Sequence, residues 1–257
     1  MNRIDKLFES KTKDILSIYF TAGYPQLDDT TTVIKELEEN GVDLIEIGIP
    51  FSDPMADGAV IQASANHALK NGMSLKVLFQ QLINIRQDVS IPLVMMGYLN
   101  PIMQFGFENF CIHAQRCGID GIIIPDLPYD QYIKEYKHIA DAHGLHMIML
   151  ITPETSDERI RMIDKNSGGF IYMVSSASVT GARNTFGDDN LRYFERINAM
   201  SLRNPRLIGF GISNKTTFDA ACQHSSGAII GSRFVTLLGS EASVDDAVTK
   251  LVQGIKG

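Results

Sequence analysis

Eight times along this chain a short apolar run gives way to a stretch with helical spacing, and few folds accommodate that alternation. The runs are 15–21 (ILSIYFT), 44–49 (LIEIGI), 91–96 (IPLVMM), 119–124 (IDGIII), 145–151 (LHMIMLI), 169–174 (GFIYMV), 206–210 (RLIGF) and 227–230 (GAII). Helices are expected over 28–40, 59–70, 74–87, 108–116, 130–142, 156–165, 191–200, up to about 221, just after 231 and over 244–255, with turn residues at 97–101. A further amphipathic helix over 3–9 precedes the first strand, with Ile4, Leu7 and Phe8 on one side. Strands joined through helices form a parallel sheet, and eight such units in about 250 residues match a closed (β/α)8 barrel. An open doubly wound sheet competes, but no GxGxxG follows the first strand and no GxxxxGK[ST] occurs. The expectation is an α/β chain forming a single TIM-barrel domain over 1–257 with an extra N-terminal helix.

One stretch departs from what folding alone requires. In 43–58, DLIEIGIPFSDPMADG, the residues Ile45, Ile47 and Ile49 share one face of a strand and Leu44, Glu46 and Gly48 the other. Burying an ionised carboxylate without partners costs several kcal/mol or forces it to take up a proton, so Glu46 is out of place unless it works. The strand runs into a stiff polar loop carrying Pro50, Ser52, Asp53, Pro54, Asp57 and Gly58. In barrels of this class the active site lies at the carboxyl ends of the strands. Glu46, Asp57, Asn100, Asp126, Tyr172 and a Gly-Ser-Thr stretch after the sixth strand gather there, whereas the turns at 39–41, 116–118 and 143–144 are short and plain.

Composition narrows the chemistry. A net charge of −7 argues against nucleic acid or an anionic membrane as the main partner. The N-terminus lacks the apolar core of a signal peptide and no apolar run approaches about 18 residues, so a cytoplasmic, soluble protein is expected. The three cysteines are scattered and the six histidines show no ligand-like pairing, so no metal is expected. No lysine ends a strand, which argues against Schiff-base chemistry. Gly181, Gly211 and Gly231-Ser232 follow the sixth, seventh and eighth strands, the last pair opening a helix whose free amides favour an anion. Acid–base catalysis by Glu46 and Asp57 on a phosphorylated substrate remains.

Several segments carry a family resemblance: YFTAGYP at 19–25, LIEIGIPFSDPMADG at 44–58, MMGYLNPI at 95–102, PDLP at 125–128, SVTGAR at 178–183, IGFGIS at 208–213 and IIGSRFV at 229–235. Through all eight units the chain resembles the α subunits of tryptophan synthase. The resemblance implies a lyase that cleaves indole-3-glycerol phosphate to indole and glyceraldehyde 3-phosphate. It implies no cofactor in this chain, and a β-chain partner that carries pyridoxal phosphate, receives the indole and completes an α2β2 assembly. It places the catalytic acid–base on Glu46, the indole-binding carboxylate on Asp57 and the neighbouring tyrosine on Tyr172. It also assigns the indole pocket to Tyr19 and Met96, and the phosphate seat to Gly181, Gly211, Gly231 and Ser232. A lid over 175–189 would carry Thr180, its hydroxyl meeting Asp57 on closure; Ser178 stands where the family pattern has glycine. Two rival readings stay open. One is another phosphate-binding barrel, such as a sugar-phosphate isomerase, an epimerase or indole-glycerol-phosphate synthase. The other is a binding module that activates the β chain through Asp53, Pro54, Met55, Asn100, Pro101 and Tyr129.

Overall fold

A computed structural model describes residues 1–175 and 186–257. The strands are β1 (Ile15–Thr21), β2 (Leu44–Gly48), β3 (Leu93–Met96), β4 (Gly121–Ile123), β5 (His146–Ile151), β6 (Ile171–Val174), β7 (Arg206–Gly209) and β8 (Gly227–Ile230). They form a closed barrel in sequence order, and β1 pairs in parallel with β8 to seal it.

Strand periodicity divides the apolar residues between two cores. Ile15, Leu44, Val94, Ile123, Ile148, Tyr172, Leu207 and Ile229 fill the barrel. Ile18, Phe20, Ile45, Ile47, Met95 and Ile122 face outward beneath the helices. A strand buried on both faces reads as a continuous apolar run, which is why these segments stand out in the sequence.

The helix Arg3–Ser10 lies across the amino-terminal mouth. Its N-cap, Asn2, accepts from the Ile4 amide at 2.9 Å and donates to Asp120 O (2.8 Å) and Gly144 O (3.1 Å). Ile4 enters the inner core and the Phe8 ring packs 6.0 Å from that of Phe170. Buried Asp120 ties this base together, pairing with Arg86 at 2.6 Å and Arg3 at 3.0 Å and accepting from the Leu93 amide at 3.0 Å.

The helix Ala59–Lys70 keeps its expected bounds; three other segments differ in the kind of element they form. The stretch 74–87 splits into Leu75–Leu82, capped by Ser74, and a 3-10 turn, Ile85–Gln87, where Arg86 reaches across to Gly118 O and Asp120. Residues expected only to turn after β3 start a helix, Leu99–Phe105, because Asp126 accepts from the Leu99 amide at 2.8 Å. Pro101 is tolerated in its first turn, where an amide hydrogen has no intrahelical use. The expected helix over 130–142 is interrupted by a π turn at Tyr132–Tyr136. Among the described residues no helix is long and apolar enough to cross a membrane.

Candidate active site

Glu46 is the middle residue of β2, in register with Tyr19 on β1 and Val94 on β3. Alternation turns it into the barrel, where it is 0 % exposed. Ser17 Oγ donates to its Oε1 at 3.1 Å. The other oxygen, Oε2, is equally buried and has no hydrogen-bond partner among the described residues. Burial pushes the Glu46 carboxyl up to about 8, with the Ser17 hydrogen bond pulling the other way. The shift favours the protonated carboxyl.

Two phenols flank it. Tyr172, on β6, is buried, and its ionisation is pushed far up by burial, then by the charges of Glu46, Tyr19 and Asp57. Tyr19 is raised by burial first and also feels both Asp57 and Glu46. Each phenol leans over a glycine of the next strand. A Cβ at Gly48 would collide with the Tyr19 hydroxyl, and one at Gly209 with that of Tyr172. Met96 is half-buried against the same inner core. Glu46, Tyr19, Tyr172 and Met96 thus share the carboxyl-terminal mouth, and Asp57 acts on both phenols.

Asp57 sits half-buried in the loop after β2. Burial raises its pKa, and a hydrogen bond from the Tyr98 side chain offsets part of this. The same Tyr98 hydroxyl accepts from the Ala56 amide at 3.0 Å, and Gln62 Nε2 donates to Asp57 O at 2.7 Å, so both sides of the loop are held. Sequence reasoning passed over Tyr98 and Ser17. The signal for Ser17 was present, since it lies two residues before Tyr19 and so faces the same interior. Asp126 serves the helix end described above, and the side-chain oxygen of exposed Asn100 accepts from Gln104 at 3.2 Å.

At the neighbouring strand ends the backbone takes unusual turns. Phe210 (φ 69°) and Gly211 (φ 74°) follow β7 in left-handed conformations, costly for a bulky residue such as phenylalanine. Ser175 Oγ pins this turn by donating to Gly209 O at 2.9 Å and Phe210 O at 2.8 Å. Gly231 is the N-cap of the helix Ser232–Ser240, so no side chain of its own can satisfy the first-turn amides. A Cβ on Gly231 would stand 3.4 Å from Tyr19, which places this helix end beside the ring that neighbours Glu46. Thr180, Gly181, Ser178 and most of the expected lid over 175–189 lie outside the described residues.

The loop after β2 forms an exposed part of the outer rim. Met55 is 83 % exposed, and the Ser52 hydroxyl donates to the Asp53 carboxylate beside it. Tyr129 is engaged within the molecule: its hydroxyl donates to Met162 O at 2.9 Å and accepts from Asn166 at 2.8 Å, while Arg159 lies over its ring. Among the described residues no group of three or more His, Cys, Asp or Glu side chains is arranged to hold a metal ion.

A family model described as tryptophan synthase alpha chain matches residues 6–255. A tryptophan synthase alpha chain from Bacteroides thetaiotaomicron is 64 % identical over 256 residues, covering 100 % of both chains. The crystal structure of the alpha chain from Legionella pneumophila superposes with a TM-score of 0.88 at 30 % identity, over 100 % of this chain and 96 % of that one. A chain in the tryptophan synthase complex of Pyrococcus furiosus gives 0.84 at 33 % identity, over 96 % and 99 %.

Proposed function

The chain belongs to the tryptophan synthase alpha chain family, and from that premise we propose that Glu46 and Asp57 perform its α reaction, the lyase step of tryptophan biosynthesis. The substrate is indole-3-glycerol phosphate and the products are indole and glyceraldehyde 3-phosphate. Its phosphate occupies the helix end at Gly231-Ser232 beside Gly211. Its indole ring lies between Tyr19 and Met96, with the ring N–H donated to Asp57. Protonated Glu46 gives its proton to ring carbon C3, and Asp57 stabilises the positive charge that develops across the ring. The bond from C3 to the side chain then breaks, its electrons returning to the indole. The adjacent hydroxyl becomes the aldehyde and its proton goes back to Glu46. One carboxyl serves as acid and then base, which requires a pKa lifted toward the working pH.

The observation that carries this reading is the fully buried Glu46 with one oxygen held and the other without a partner among the described residues. Glu46→Gln keeps the shape and removes the titration. It is expected to fold, to bind glycerol-phosphate ligands, and to lose roughly 100-fold or more of its indole-releasing turnover, in line with the usual worth of acid–base groups. Near-normal turnover would remove Glu46 from the mechanism. A substrate panel separates the rival barrels, because only this cleavage liberates free indole.

The exposed loop around Asp53, Pro54 and Met55 is contiguous in sequence with Asp57 and favours a second role beside the first. We assign it to docking of a tryptophan synthase β chain, in an α2β2 assembly whose pyridoxal phosphate belongs to the β chain. Measuring indole release with and without β chain separates catalysis from activation of the partner.

A further inference from the structure

We propose that Ser17 is a positioning residue that decides which oxygen of Glu46 carries the exchangeable proton. The inference rests on the acid–base role given to Glu46 above. A carboxylic acid presents one oxygen that accepts and one that donates. In water either oxygen takes either part, and the proton wanders between them. Here the Ser17 hydroxyl donates to Oε1 at 3.1 Å, with both residues 0 % exposed, while Oε2 is buried without a partner among the described residues. An oxygen already receiving a hydrogen bond is the better carbonyl, so the proton resides on Oε2. The oxygen left unbonded by the protein is thus the one that hands the proton over and takes it back. No movement of the side chain is needed between the two halves of the reaction.

The surroundings leave this task to Ser17. The titratable groups that feel Glu46 are Tyr19 from β1 and Tyr172 from β6, and Asp57 in the loop after β2, held by Tyr98, acts on both of these phenols. The other inward positions near its level, Val94 on β3, Leu207 on β7 and Ile229 on β8, are apolar. Ser17 is the hydrogen-bond donor found on the Glu46 carboxyl among the described residues. Removing it leaves both oxygens equivalent and the ionised form without its hydrogen bond.

The test is a pH profile of indole release by the full-length protein for Ser17→Ala and Ser17→Thr. Ser17→Ala is expected to lower kcat about tenfold and leave KM within about twofold, the pattern of a group that acts on the chemical step. It is also expected to move the alkaline limb of kcat up by about one pH unit, because an unassisted buried carboxyl holds its proton longer. Ser17→Thr keeps a hydroxyl at the same reach and restores both. A 13C titration of the labelled Glu46 carboxyl in Ser17→Ala and in the native protein reads the same displacement without turnover, and a Ser17→Cys variant covers the case where alanine fails to fold. An unmoved limb and an unmoved titration overturn the role of Ser17. If Glu46→Gln abolishes turnover in the same series, that failure belongs to this inference alone; if Glu46→Gln turns over normally, the acid–base reading of Glu46 fails instead.

Discussion

A carboxyl group shut away from solvent titrates according to what its neighbours offer, and among the described residues Ser17 offers Glu46 a hydroxyl. Its ordinary value is 4.5 and burial lifts it to about 8. A raised value means the folded protein holds the proton more tightly than the unfolded chain does. The associated stability is fully present below pH 4.5, erodes as pH rises, and is gone above about 8. Glu46→Gln removes this liability. Its advantage over the native protein in urea melts followed by far-UV circular dichroism is expected to be small at pH 4 and to reach a few kcal/mol by pH 9, on the order of the linked proton's worth. A difference that stays flat with pH would show that burial does not govern the group. The anomaly of Glu46 was legible because an acid inside an apolar run has few structural excuses. Ser17 was harder to single out: its place two residues before Tyr19 put it on the inner face, but a serine in a strand has many other uses. Gly48 and Gly209 were opaque for another reason: what forbids a side chain there is a tyrosine on the adjacent strand, a relation absent from the local sequence.

Among the elements, the strands could be read because each is buried on both faces, while helix ends depended on partners far away in sequence. Arg86 tightens the end of one helix by reaching to Asp120, and Asp126 starts another by accepting the Leu99 amide. The helix Arg3–Ser10 was visible as an amphipathic segment, but its seat across the barrel base follows from the inner core it meets. Ile4→Ala is expected to cost about 2–4 kcal/mol, the usual range for emptying a buried aliphatic site. Since Ile4 touches the base and not the mouth, kcat for indole release should be unchanged in the folded fraction; a denaturant melt paired with a steady-state assay checks both. At the opposite end, Gly211 adopts φ 74°, and a Cβ added there would meet nothing within 4 Å. Gly211→Ala should therefore cost only backbone strain, about 1–2 kcal/mol. Its expected kinetic signature is a KM raised severalfold for the phosphate-bearing substrate, with kcat less affected. Gly211 and Gly231 stood out in the sequence by their places after the strands, whereas the left-handed Phe210 before Gly211 had no signature there.

At the scale of the whole molecule, the eightfold alternation made the closed barrel legible, since no other arrangement buries eight such strands on both faces in sequence order. The outer rim was harder to read, because an exposed loop looks alike in sequence whether it meets water or a partner. Met55→Asp places a charge at the most exposed large apolar side chain of the described residues. It is expected to weaken co-elution with a β chain by about tenfold, equivalent to about 1.4 kcal/mol, while indole release by the isolated chain stays as it was. Unchanged affinity would move the docking site elsewhere. The helix that stoppers the base has one more consequence. With that end corked and the lumen packed with side chains, the described residues leave no way through the base, and traffic to Glu46 must come by the opposite rim. Any protein seated over that rim governs admission and departure together, without touching a single reacting atom.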